Sequence, residues 1–354
     1  MSSSIKYQAR IDGLRFLAIF MVLIEHYAWY IGRFFSAGFY GVNLFFVISG
    51  FLITSILLRK NGADFKTSYI NFLGRRAFRI FPIYYLVILI FILIGVPDLG
   101  RDLPYLLTYT FNYHIENIGA WDKFYGLYWS LSVEEQFYVA FPVIVIALKG
   151  NIKILTATCL LILLVAYSQI LFNVFSLAKY DNVGLLTNMG PLTIGSLGAI
   201  YLSTNPRMNL FFKSAIVEFI FIFFIITTIM TKSHGFMLLF SSVLNLFLVL
   251  KAYYFSFSIT YLNRILSNKI IVFIGRISYG IYVYHGIISY YFGLYIFDPV
   301  WHKIPFEQLG ILTKIEFHSW LIKLPLYSFI SILIAYISFK YIESPILKLK
   351  YKYL

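Results

Sequence analysis

Runs of about twenty apolar residues recur along the whole of this 354-residue chain. That is the length an α-helix needs to cross the ~30 Å hydrocarbon core of a bilayer. The chain is 60% hydrophobic and only 12% charged, too few charges to cover the surface of a soluble domain of this size. The pattern predicts ten spans, at 12–30, 38–58, 80–95, 127–148, 153–173, 186–202, 213–231, 236–254, 270–293 and 320–342. They make an all-α polytopic membrane helix bundle, a single domain over 1–354. The third and sixth are short for a bilayer core, and 104–115 reads as an interfacial helix or a re-entrant piece. The 30 tyrosines and 37 phenylalanines fit, in part, aromatic belts at the two interfaces.

Ten spans leave both termini on one side. On that side fall 21 of the 29 lysines and arginines, against 8 on the other. Cytoplasmic loops carry the excess of basic residues, so both termini are expected in the cytoplasm. The net charge of +14 is then an orientation signal rather than a sign of nucleic acid. The start, MSSSIKYQAR, leads straight into a full-length span with no small-residue cleavage site, so no removable signal peptide is expected. Cys159 is the one cysteine, which excludes a disulfide framework and a thiolate metal site. No P-loop, dinucleotide glycine fingerprint, metal-ligand spacing or nucleophile elbow is present.

Asp12, Arg15, Glu25 and His26 interrupt the first apolar run. Ionisable groups at membrane depth are costly unless they face a protein interior, and so mark functional sites. Arg15 and His26 fall within ~20° of one helix face, separated by ~16 Å along the axis. Counting depth from the span edges puts His26, Asn43, Glu134 or Glu135, and His285 in one layer of the outer third. Ser49, Trp129, Ser130 and Tyr284 lie near that layer as substrate-site candidates. The layer reads either as polar contacts that join helices or as a site built from several helices. In the second reading His26 is a general base, because imidazole as a class titrates near neutral pH and an adjacent carboxylate sets its tautomer. Glu25 points ~100° away from it, so Glu134 or Glu135 is the better partner, and two neighbouring glutamates cannot both face one site.

A second cluster, Arg75, Arg76 and Arg79 in GRRAFRIFP, falls in the expected cytoplasmic loop after the second span. It reads as a topology signal or as a phosphate clamp. Guanidinium forks bind phosphate bidentately, and a helix N-terminus there would add its dipole. With Arg15 they make a basic mouth beneath His26. A long anionic carrier with phosphates at one end and a thioester at the other, as in coenzyme A, fits such a geometry.

These pieces, in order, resemble the acyltransferase-3 family of bacterial multi-pass membrane O-acyltransferases. The matching stretches are IDGLRFLAIFMVLIEH, GVNLFFVISGFLI, RRAFRIFP, YWSLSVEEQFY and GRISYGIYVYHG, and the likeness covers essentially the whole chain. The resemblance implies transfer of an acyl group, commonly acetyl, from cytoplasmic acyl-CoA to a hydroxyl of a cell-surface or lipid-linked carbohydrate, in the bacterial inner membrane. It implies Arg15 and His26 as the Arg/His motif, Arg75, Arg76 and Arg79 as the arginine cluster, and Glu134 and Glu135 as the acidic motif of the fourth span. Acyl-CoA is then a co-substrate, with no permanently bound cofactor and no metal. Some members carry an extracytoplasmic hydrolase-like domain, and this chain looks like the stand-alone form. Members usually have aspartate where this chain has Asn43, which keeps a hydrogen bond and loses a charge. A proton-coupled transporter of a glycan precursor or small acid is the competing reading. It explains an intramembrane histidine and glutamate as a relay, but leaves the arginine cluster without a use, and no internal repeat supports it. An accessory subunit of a polysaccharide assembly complex is a third. Oligomeric state, acceptor sugar and acyl chain are not legible.

Overall fold

The computed structural model of the chain describes residues 8–59, 64–121, 124–172, 183–204, 234–254, 257–301, 303 and 319–353. Within them the chain is helical throughout, with no strand. Helix α1 (Ala9–Tyr27) and the short α2 (Trp29–Phe34) lead into α3 (Ala37–Arg59) and the long α4 (Phe65–Leu93). Two short helices, α5 (Leu99–Leu107) and α6 (Phe111–Ile118), precede α7 (Trp129–Leu148). Then come α8 (Ile152–Phe172), α9 (Leu185–Thr204), α10 (His234–Tyr254), α11 (Thr260–Leu266) and α12 (Lys269–Arg276). Helix α13 (Ser278–Ile287) runs on through π-helical turns (Ile288–Phe297) to Trp301. Helix α14 (Trp320–Ser338) does the same through Phe339–Glu343 to Tyr353.

Of the ten expected spans, five are helices long and apolar enough to cross a membrane alone: α3, α4, α7, α9 and α14. A sixth forms if α12 and α13 count as one span, bent by 65°. The fifth and eighth contain shorter apolar helices, Ile152–Ser168 and Leu238–Tyr253. The expected span 213–231 lies outside the described residues. Helix α1 does not qualify by itself, because Asp12, Arg15 and Glu25 fall within its 19 residues. It is instead the shared neighbour of the bundle, touching α3, α10, α11, α12, α13 and α14.

Three local readings change. The sixth span is not short: α9 has 20 residues. The third begins much earlier than expected, because Asp64 accepts a hydrogen bond from the Thr67 N–H and caps α4 well before its apolar part. Arg75, Arg76 and Arg79 therefore sit on a helix rather than in a loop, and the positive N-terminus of α4 lies some ten residues from them. The stretch 104–115 belongs to two helices, broken at Tyr109, whose φ is +54°.

Helix α3 packs extensively against α9. Gly50 and Gly195 make it possible: a Cβ on Gly50 would strike the Leu192 carbonyl, and one on Gly195 would strike the Val47 carbonyl. A second packing centre gathers buried aromatic rings from α1, α4, α13 and the segment before α7, with Tyr84 and Tyr109 stacked at 4.3 Å. Tyr84 donates to the Leu106 carbonyl (2.9 Å) and Tyr128 to the Val283 carbonyl (2.8 Å), so tyrosine tips join helices inside the bundle as well as decorating interfaces.

Candidate functional site

Two cavities lie end to end along α1, α3, α7 and α13. The first, about 80 Å³, is bordered by Arg15, Arg76 and Arg79, with Ser49, Glu134 and Tyr138 on the facing helices. Arg15 pairs with Asp12 one turn below it on α1 (2.9 Å). The Arg76 guanidinium lies 4.8 Å from the Tyr138 ring centre and 5.7 Å from that of Phe72, a cation–π arrangement that holds its fork in place. Ser49 donates to Glu134 (2.6 Å), and its oxygen lies 3.0 Å from the Tyr138 hydroxyl. Among the described residues, three guanidiniums and a single carboxylate thus border one small space. Arg75 is exposed and outside the cavity wall, because three arginines on one helix span ~100° and the cavity takes two of them.

The second cavity, about 170 Å³, is bordered by Glu25 and His26, by Asn43 and Asn188, and by Trp121 and Trp129. His26 is exposed within it. Its Nδ1 is 2.9 Å from the Val22 carbonyl oxygen. A carbonyl only accepts, so Nδ1 carries a proton, and in the neutral ring it is Nε2 that offers a lone pair, the tautomer a general base requires. The backbone, rather than Glu134 or Glu135, orients the ring. Glu25 accepts the Gly38 N–H at the start of α3 (2.5 Å) and so fixes the bend between α1 and α3.

The layer read from sequence divides between the two cavities. His26 and Asn43 share the second. Glu134 lies with the arginines in the first, because it is five residues, ~7.5 Å, further along α7 than Trp129. Ser49 and Ser130 also border the first cavity. Glu135 is buried on another side of α7, within electrostatic reach of Tyr84, Tyr109 and Tyr279, and borders neither. His285 lies behind His26, fully buried, with ring centres 4.7 Å apart. Its Nδ1–H donates to the Tyr282 carbonyl (2.6 Å), and its Nε2 has no hydrogen-bond partner. Tyr284 faces α14, where its hydroxyl meets Ser338 (2.9 Å), and touches neither cavity. Asn43 is tied to α10: its Nδ2 donates to Ser242 (2.9 Å) and its Oδ1 accepts from Asn245 (2.8 Å).

Sequence reasoning missed Trp121, Tyr138, Asn188 and Tyr282. Tyr138 was within reach of it, one helical turn after Glu134 on the same face. Trp121 was not, because it stands in the segment between α6 and α7. A buried cluster anchors that segment. Asp102 accepts from Arg101 (2.7 Å), His114 (2.8 Å) and Tyr125 (2.8 Å). Burial pushes the Asp102 carboxyl up, but the bonds from Arg101, Tyr125 and His114 outweigh it and hold the group below the usual carboxylate range.

A helical bundle with several membrane-spanning helices, a guanidinium cavity and an imidazole cavity set in line defines the class as an integral membrane protein built around an internal site. Residues 8–340 match the acyltransferase-3 family model, described as an acyltransferase domain, and the chain belongs to that family. It is 27% identical to SAS0844 of Staphylococcus aureus strain MSSA476, a provisionally named O-acetyltransferase, over 97% of this chain and 58% of that one. It is 26% identical to the O-acetyltransferase OatA of S. aureus strain NCTC 8325 / PS 47, over 98% of this chain and 58% of that protein. The chain thus spans 58% of the length of these relatives. No solved structure matches it.

Proposed function

We propose that the chain is an O-acyltransferase that moves an acyl group, acetyl by family precedent, from cytoplasmic acyl-CoA to a hydroxyl of a carbohydrate at the cell surface or on a lipid carrier. The observation that carries this reading is the alignment of the two cavities: Arg15, Arg76 and Arg79 around one, and His26 with a bare Nε2 in the next. Both termini lie in the cytoplasm of a bacterial inner membrane, so the guanidiniums face the compartment that holds acyl-CoA. They take its phosphates as charge-assisted pairs. Glu134, held by Ser49, balances part of their charge. The composition of the second cavity suits a sugar. Trp121 and Trp129 offer flat apolar faces, and Glu25, Asn43 and Asn188 offer polar groups.

In the transfer, His26 Nε2 takes the proton of the acceptor hydroxyl as its oxygen attacks the thioester carbonyl. A C–O bond forms, the C–S bond breaks, and the proton passes to the departing thiolate. The test is transfer of radiolabelled acetyl from acetyl-CoA to membrane glycan in vesicles from cells producing the chain. His26→Ala is expected to slow transfer by ~10²–10⁴-fold with insertion unchanged. A folded, fully active His26→Ala variant refutes the reading. A transporter of the same material would leave the thioester intact.

A further inference from the structure

Among the described residues, two belong to the walls of both cavities, Val42 of α3 and Tyr282 of α13. They stand where the two cavities adjoin, on the line from the arginines to His26. Tyr282 is buried and held in place. Its hydroxyl lies 2.6 Å from Ser130 Oγ and donates to the Leu127 carbonyl at 3.0 Å, and Ser130 Oγ also reaches that carbonyl at 3.2 Å. The two hydroxyl protons therefore close a triangle in either of two senses: one hydroxyl donates to the carbonyl and the other donates to it. Swinging the ring away breaks the triangle. The backbone carbonyl of Tyr282 also receives the Nδ1–H of His285, whose ring packs on His26. The partition and the ring that backs the base are thus built on one turn of α13.

We infer that Tyr282, with Val42 opposite, is the partition that admits a short acyl group to His26 and keeps water of the second cavity off the waiting thioester. This rests on the acyltransfer reading above. A bulky side chain in such a passage selects by length, since one added methylene is commonly worth ~10-fold or more in discrimination. Without the ring, water replaces the sugar hydroxyl as nucleophile. Its oxygen bonds the acyl carbon and the C–S bond breaks; one water proton ends on the departing thiolate and the other leaves to solvent, giving a carboxylate and a free thiol.

The experiment uses the full chain in proteoliposomes without sugar, with acetyl-CoA and butyryl-CoA as probes and thiol release as the readout. Tyr282→Ala is expected to raise release from both donors, and to raise the butyryl to acetyl ratio ~10-fold or more. Val42→Ala, on the opposite helix, is expected to shift the ratio in the same direction and serves where Tyr282→Ala fails to fold. Tyr282→Phe keeps the ring and is expected to keep the wild-type ratio. The inference is overturned if the alanine variants that fold release thiol at the wild-type rate and ratio, or if Tyr282→Phe shifts the ratio as far as alanine does. Labelled transfer to glycan by the wild-type chain in native vesicles is read alongside. Its absence refutes the acyltransfer reading itself, whereas its presence with unmoved ratios refutes only the partition.

Discussion

The resemblance implies an aspartate where this chain has Asn43, and the contacts of Asn43 give its replacement a magnitude. The side chain is 2% exposed and bridges α3 to α10 through two hydrogen bonds, one given to Ser242 and one accepted from Asn245. Ser242 already donates its only proton to the Leu238 carbonyl (2.5 Å). Position 43 must therefore supply a donor to Ser242 and an acceptor to Asn245, which is the description of an amide. Asn43→Ala leaves the Ser242 lone pair and the Asn245 N–H unmatched. Each such group costs ~1–3 kcal/mol when buried, and water in the adjoining cavity recovers part of it. The net expected loss is ~2–4 kcal/mol. Asn43→Asp places a second acceptor against Ser242 and, if ionised, a charge that costs ~2.5–3.5 kcal/mol at membrane depth, so it is expected to be no more stable than alanine. The assay is denaturant unfolding in detergent, followed by tryptophan fluorescence, on the two single variants, Asn245→Ala and the Asn43→Ala/Asn245→Ala double. The double is expected to lose less than the sum of its singles by ~1–2 kcal/mol, the signature of a direct contact. An Asn43→Ala protein as stable as wild type, with no coupling to Asn245, would refute this account.

Arg76→Ala and Arg79→Ala are expected to raise the acyl-CoA concentration needed for half-maximal transfer by ~10-fold or more each, the loss of one charge-assisted phosphate contact. Arg75→Ala, outside the cavity, stays within about twofold, and kinetics in vesicles decide between these outcomes. Gly195→Ala pushes a Cβ into the Val47 carbonyl and is expected to cost ~1–3 kcal/mol of overpacking, visible as a lower unfolding midpoint than in Gly150→Ala, whose Cβ meets nothing. Asp102 has its carboxyl held below the ordinary range, so its stabilisation is complete above the unfolded value of about 4 and drains away as pH falls through the folded value. Wild type should lose more stability on acidification than Asp102→Asn, and parallel pH profiles of the two unfolding midpoints would contradict this.

The helical class, and which apolar runs carry candidate polar groups, were legible because membrane insertion writes them into one dimension. An apolar run sets a helix, and a charge inside such a run announces a protected interior. Arg15 and His26 fell on one face by arithmetic alone, and one borders each cavity. What the sequence concealed was depth and direction. Glu134 was counted into the imidazole layer, but the five residues from Trp129 carry it down to the guanidiniums. Arg75 is chemically equal to Arg76 and Arg79, and only the packing of α4 excludes it. The cap at Asp64 is a weak signal, and missing it made the arginine helix look like a loop. Tyr282 left no mark in sequence, since a tyrosine in a tyrosine-rich chain gains meaning only from what it separates.

The order of residues along the helices adds an argument that no single contact supplies. On α1 the chain passes from Arg15 to His26, and on α13 from Ser278 to Tyr282, so both run from the guanidinium cavity toward the imidazole cavity. On α3 it passes from Gly38 to Ser49, and on α7 from Trp129 to Tyr138, in the opposite sense. Expected spans one, two, four and nine alternate in the same up, down, down, up pattern. Each of these helices passes from one cavity to the other, so the two cavities are displaced from each other along the bundle. The acyl transfer proposed above, with its donor on one side of the membrane and its acceptor on the other, calls for that polarity. On that reading the guanidiniums serve the end that takes the anionic donor, and the Val22 carbonyl keeps a proton of His26 on Nδ1, leaving Nε2 as the atom that faces the acceptor.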